Sequence, residues 1–90
     1  MAPPRRTKLV VYAIESESVN RIYIGYTKDI DARLKYHNSG YVKSTAKDRP
    51  WRLIALEIVK SKNKARWLER SLKKSRGKRL KWVKRNGIMS

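Results

Sequence analysis

Tyr23-Ile24-Gly25-Tyr26-Thr27-Lys28-Asp29-Ile30-Asp31-Ala32-Arg33-Leu34-Lys35-Tyr36-His37 is the stretch on which the fold depends. Its apolar start reads as a short strand, Gly25 reads as a turn, and a helix begins around Asp29. Thr27 or Asp29 can cap that helix, because a short oxygen-bearing side chain accepts from the free N–H groups of a first turn. Ile30 and Leu34 repeat at i, i+4 and point inward. Arg33 and His37 share the same spacing on a neighbouring flank. One strand end therefore delivers a tyrosine, and one helix flank delivers a guanidinium and an imidazole. The ordinary alternative is a packed tyrosine, a solvated arginine and an incidental histidine.

Working outward, Leu9-Val10-Val11-Tyr12-Ala13-Ile14 is a continuous β-prone run, as expected of a strand covered on both faces. A polar turn, Glu15 to Asn20, joins it to a strand from Arg21 to Tyr26. Alternation puts Tyr12 with Val10 and Ile14 on one face, and Tyr23 with Gly25 on one face of the next strand. The helix from Asp29 to Asn38 stops at Ser39-Gly40. Tyr41 to Pro50 reads as a polar basic loop carrying Lys43, Lys47 and Arg49. Trp51 to Val59 is a third strand. Ser61 can cap a second long helix, Lys62 to about Ser75, whose inward stripe is Ala65, Leu68 and Leu72. Glu69 lies at the edge of that stripe, where a carboxylate needs either a partner such as Lys73 or Arg66, or a metal ion. Lys73 to Arg85 is a dense basic tract broken at Gly77, with Leu80, Trp82 and Val83 anchoring a short last helix. The expected class is α/β (α+β): a small three-stranded, mostly antiparallel sheet flanked by three helices. It forms one domain over residues 9–86, behind a flexible basic arm over residues 1–8.

Composition narrows the function. Lys and Arg number 24 against 7 acids, a net charge of +17. Self-repulsion on that scale calls for an anionic partner, and a polyphosphate that releases many counterions suits it best. Lys28, Lys43, Lys47, Arg49, Lys73, Lys74, Arg76, Lys78 and Arg79 are the cations expected to contact nucleic acid. With no cysteine and one histidine, disulfides and a Cys/His zinc site are excluded. No stretch is apolar enough to span a bilayer, and the first residues lack the apolar segment of a signal peptide. A cytoplasmic protein, nucleoid-associated if bacterial and most simply a monomer, is the expectation.

These residues also carry a resemblance. Val10-Val11-Tyr12, then after ten residues Tyr23-Ile24-Gly25, then Thr27, Arg33, His37 and a helical Glu69 resemble the GIY-YIG nuclease superfamily. The likeness runs from about Lys8 to Val83 and is strongest to small stand-alone bacterial members. It implies a metal-dependent endonuclease that hydrolyses phosphodiester bonds of DNA with one Mg²⁺ or Mn²⁺, in repair, recombination or processing. It also implies roles. Tyr12 helps to deprotonate or position the attacking water, and Tyr23 hydrogen-bonds the scissile phosphate or the nucleophile. Arg33 neutralises charge on the phosphoryl oxygens, His37 contacts the phosphate or relays a proton, and Glu69 holds the metal. One acid with otherwise water and phosphate ligands is a set that Mg²⁺ tolerates. Three positions depart from the pattern. The first motif lacks its glycine, Tyr26 stands where some members place a lysine (Lys28 is two residues further), and Asn86 is too far along the chain to match a late asparagine. The alternative is a non-catalytic, basic nucleic-acid-binding protein on the same scaffold.

Overall fold

The computed structural model describes residues 8–88. Residues 1–7, most of the expected basic arm, lie outside that span. The elements in order are β1 (Val10–Ser16), β2 (Ile22–Thr27), α1 (Ile30–Ser39), α2 (Lys43–Ala46), β3 (Trp51–Ile58), α3 (Lys62–Lys74) and α4 (Arg76–Asn86). The sheet order is β2-β1-β3, and both pairings are antiparallel. The strand read as covered on both faces is the central one.

Register decides what each face carries. Tyr12 pairs with Gly25 and Ile14 with Tyr23 across β1–β2, so all four share one face of the sheet. Ile30 and Leu34 of α1 cover that face, together with Trp51, Leu53 and Leu56. Val11, Ala13, Ile24 and Ala55 point the other way. They pack with Ala65 and Leu72 of α3 and Trp82 of α4. A register shift between Ala13 and Ile14 lets β3 fit one extra residue against β1. The tail closes over that shift, where Gly87 bridges Ala55 and the Ile88 N–H donates to the Ile54 carbonyl at 2.9 Å.

Local chemistry explains the helix ends. Asp29 caps α1 by accepting from the Ala32 N–H at 3.1 Å, while the Thr27 hydroxyl accepts from the Asp29 N–H. Gly40 ends α1 at φ 93°, in the left-handed region. Ser61 caps α3. Ser75 ends α3 with extended backbone and caps α4 through the Lys78 N–H, so the basic tract breaks at Ser75, not at Gly77.

Two further readings change. Gly25 is not a turn: β2 runs through it to Thr27. The segment Tyr41 to Pro50 is not a plain loop, because α2 forms a single turn within it and buries Thr45. That segment is tied down by specific bonds. The Ser16 hydroxyl donates to the Asp48 carbonyl at 2.6 Å, Arg21 reaches the Asp48 carboxylate at 2.7 Å, and the Trp51 indole donates to the Thr45 carbonyl at 2.8 Å. Asn38 of α1 holds the backbone of Trp51 through both amide atoms.

Candidate active site

Tyr12 of β1, Tyr23, Gly25 and Tyr26 of β2, Arg33 of α1 and Glu69 of α3 line one open pocket of about 290 Å³. Four of the five expected catalytic residues therefore meet there. β2 is the edge strand, so α3 can pack on the apolar face and still send side chains round that edge. Glu69 reaches the pocket this way, and the Lys73 ammonium stands 5.7 Å over the Tyr23 ring.

Gly25 has a steric reason. A Cβ built there would lie 2.6 Å from the Tyr12 hydroxyl oxygen and 2.8 Å from the ring carbon bearing it. The Tyr12 ring thus lies directly on the Gly25 backbone, and only glycine leaves that space. The second motif fits the first tyrosine across the strand pair.

His37, the fifth residue, sits behind the pocket and is only 1 % exposed. Its Nε2 lies 2.9 Å from the Tyr12 hydroxyl, and its Nδ1 lies 3.0 Å from the Thr45 hydroxyl. Tyr23 meets the imidazole edge-on, with ring centroids 4.9 Å apart. A ring this buried does not suit direct phosphate contact, one of the two roles expected of this residue.

Electrostatics follow from burial. Burial, and after it the Tyr23 phenol, push the Tyr12 pKa well above that of an ordinary phenol. Arg33 pulls it down, and Glu69 adds to the rise. Burial and then Arg33 lower the His37 pKa, so the imidazole is held neutral.

Glu69 has both fates that its position on the helix allows. Its carboxylate pairs with Lys73 at 3.3 Å, four residues on, and also faces the pocket. No group of three or more His, Cys, Asp or Glu able to hold a metal occurs among the described residues. A cage built from protein ligands alone is therefore not on offer. One carboxylate at the wall of an open polar pocket does fit a hydrated Mg²⁺ or Mn²⁺, which keeps most ligands as water and phosphate oxygen.

The expected nucleic-acid contacts are dispersed. Lys28 lines a larger cleft of about 760 Å³ that continues from Arg33, along with Lys8, Lys60 and Lys62. The last three fall outside the basic segments singled out in the sequence, and the fold brings them beside Lys28. Lys73 borders the candidate pocket through Glu69 and the Tyr23 ring. Lys43 and Lys47 are exposed around α2, while Arg49 folds back to the Ala46 carbonyl. Lys74, Arg76 and Lys78 are exposed, and Lys78 lines a separate groove with Trp67, Lys81 and Arg85. Arg79 donates to the Leu72 carbonyl at 3.0 Å, a bond within the fold.

The departures from the family pattern also find their places. Val10 is buried between Thr27 and Ile58. Tyr26 lines the pocket without supplying a cation, and the lysine near Tyr23 is Lys73 of α3. Asn86 donates to the Trp82 carbonyl, away from the site.

Comparison with known proteins agrees with this geometry. The model of the GIY-YIG catalytic domain matches residues 8–85. A UPF0213 protein of Syntrophus aciditrophicus (strain SB) is 39% identical over 83 residues, covering 89% of this chain and 94% of that one. UPF0213 proteins of Staphylococcus haemolyticus (strain JCSC1435) and Staphylococcus aureus (strain Mu3 / ATCC 700698) are each 36% identical. They cover 84% and 82% of this chain, and 94% and 92% of their own lengths. No solved structure matches. Among the described residues no helix is long and apolar enough to cross a membrane. The matched family, the relatives of the same length and the paired tyrosines over Gly25 lead to one conclusion: the chain belongs to the GIY-YIG catalytic-domain family and carries its nuclease fold.

Proposed function

We propose that this protein is a divalent-metal-dependent endonuclease that hydrolyses phosphodiester bonds in DNA, structure-directed or weakly specific, and acts in DNA repair, recombination or processing. The observation that carries this reading is the convergence of Tyr12, Tyr23, Arg33 and Glu69 on one pocket from four separate elements. We place it in the cytoplasm as a monomer, with residues 9–86 as one catalytic domain.

Each side chain has a task in the proposed reaction. Arg33 faces the phosphoryl oxygens and balances the charge that builds there, the effect that matters most in phosphoryl transfer. Tyr23 donates to the phosphate or to the attacking water. Tyr12 takes a proton from that water while its own proton passes to His37 Nε2. A free phenolate is costly at Tyr12, and a neutral imidazole 2.9 Å away removes the need to form one. The water oxygen bonds to phosphorus, the opposite P–O ester bond breaks, and the leaving oxygen takes a proton from solvent. Glu69 is the residue that would hold Mg²⁺ or Mn²⁺; the bound ion supplies Lewis acidity at the phosphate and stabilises the leaving oxygen. The cations of the wider cleft, Lys8, Lys28, Lys60 and Lys62, extend the phosphate path beyond Arg33.

The Lys73–Glu69 pair favours a second reading, a basic binding protein whose only acid in the pocket is already neutralised. Labelled flap, branched, nicked and plain duplex DNA, incubated with Mg²⁺, with Mn²⁺ and with EDTA, separates the two. Metal-dependent cutting is expected, and binding without cutting under every condition returns the second reading. If six to ten phosphates are contacted, affinity falls by roughly 10³–10⁵ between about 50 and about 200 mM salt. A flat salt dependence contradicts the proposed DNA path.

A further inference from the structure

Thr45 belongs to no motif, yet it is completely buried and touches the single histidine of the chain. Its one-turn helix is held from three sides: by Arg21 on the Ser44 carbonyl, by the Trp51 indole on the Thr45 carbonyl, and by Ser16 on the Asp48 carbonyl. A hydroxyl fixed that firmly against an imidazole can set which ring nitrogen carries the proton.

The hydrogen bonds run in a chain. The Tyr12 hydroxyl lies 2.9 Å from His37 Nε2, His37 Nδ1 lies 3.0 Å from Thr45 Oγ1, and Thr45 Oγ1 lies 3.3 Å from the Val42 carbonyl. In one direction every hydrogen has an acceptor: Tyr12 donates to Nε2, Nδ1–H donates to Thr45, and Thr45 donates to Val42. In the opposite direction Thr45 donates to Nδ1 and Nε2–H donates to Tyr12. The hydrogen of Tyr12, a residue 1 % exposed, then has no protein acceptor among the described residues. That hydrogen can then be satisfied only from the open pocket that Tyr12 lines, whereas the first direction pairs every hydrogen of the chain within the protein and is the one the fold favours.

We propose that Thr45 is a positioning residue that holds His37 as its Nδ1–H tautomer, leaving Nε2 as the acceptor for the Tyr12 proton. Its consequence for cutting rests on the nuclease reading above; the tautomer does not. Lowering of the His37 pKa by burial keeps the ring in the neutral state in which a tautomer is defined. Thr45 acts through His37 and touches no reacting atom. A histidine free in water favours the Nε2–H form, so the form imposed here is recognisable.

The single histidine makes the test direct. In protein labelled with ¹⁵N-histidine, one imidazole gives the entire two-bond ¹H–¹⁵N spectrum near neutral pH. Wild type is expected to show a protonated Nδ1 and an unprotonated Nε2. Thr45→Val keeps the shape and removes the acceptor; it should shift the ring toward Nε2–H. It should also lower kcat roughly 10–100-fold, as loss of an outer partner of a working histidine does, with KM for DNA unchanged. Thr45→Ser should restore both readouts. A wild-type Nε2–H spectrum overturns the proposal whether or not Thr45→Val folds. So does a folded Thr45→Val protein with the wild-type spectrum and kcat. A wild type that shows Nδ1–H but cuts no DNA overturns the nuclease reading and supports the role of Thr45.

Discussion

On one side of the sheet Val11, Ala13, Ile24 and Ala55 close against Ala65, Leu72 and Trp82; one residue along the same central strand, Tyr12 points the other way, into a hydrogen-bonded array with His37 and Thr45. The first side is aliphatic and aromatic, with Trp82 donating to Glu57 at its border. The second side buries a phenol, an imidazole and a hydroxyl side by side, and no buried side-chain nitrogen or oxygen lacks a partner among the described residues. The two-residue period of β1 makes both possible at once. Stability is concentrated where shape alone matters, and reactivity where every polar atom has an assigned neighbour. Substitutions on the two sides should therefore separate folding from chemistry.

The largest expected effect lies on the apolar side. Trp82→Ala opens a cavity and removes the bond to Glu57. Urea unfolding should show a loss of about 3–5 kcal/mol, with the cutting rate of the fraction that remains folded preserved. Reduced cutting per folded molecule would break the separation.

Next comes Arg33→Ala. Arg33 is exposed and caps nothing, so unfolding should hardly change while cutting falls by roughly 10²–10³, the usual result of removing one charge donor from a transition state. Equal losses in stability and cutting would place Arg33 in the scaffold.

Gly25→Ala tests the join between the two sides, since Gly25 is backbone to the sheet and floor to Tyr12. Forcing a methyl group to within 2.6 Å of the Tyr12 oxygen should cost about 1–3 kcal/mol of stability and disturb the Tyr12–His37 bond. Ile24→Val, a neighbour on the opposite face, should cost about 0.5–1.5 kcal/mol and leave cutting alone.

The smallest effect concerns pH. The folded-state pKa of His37 lies below its unfolded 6.5. Its contribution to stability is therefore complete above that value and is lost as pH falls through the lower, folded-state one. Thermal melts should show wild type losing more stability than His37→Gln as pH falls from about 7 to about 5. Parallel losses would mean that the imidazole is not held neutral.

The legible part of the fold was the part written in local chemistry. Strand alternation grouped Tyr12 with Ile14 and Tyr23 with Gly25, though only the register brought the two groups onto one face. The Asp29 and Ser61 caps and the Gly40 stop set the helices, and the stripe of Ala65, Leu68 and Leu72 gave α3 its inward side. Glu69 was legible as a carboxylate at the margin of that stripe. Thr45 was not, because a threonine in a polar basic segment looks solvated until Ser16, Arg21 and Trp51 fold the segment onto the sheet. Lys60 and Lys62 were hidden for a related reason: cations become a cleft only when distant strands bring them beside Lys8 and Lys28. Gly25 was misread because turn and close approach both ask for glycine, and only the strand register showed that the Tyr12 ring occupies the space.

Glu69→Gln tests the central claim most directly. Gln is close in size and a comparable helix former, so α3 should persist, while the only carboxylate of the pocket is gone. DNA binding and metal-dependent cleavage should be measured on the same folded preparation, free of contaminating nuclease. Binding equal to or tighter than wild type with cleavage abolished is the predicted result. Cleavage at the wild-type rate, with a stability change of only about 0.2–0.5 kcal/mol from the lost Lys73 pair, would contradict it and leave Glu69 as a surface ion-pair residue.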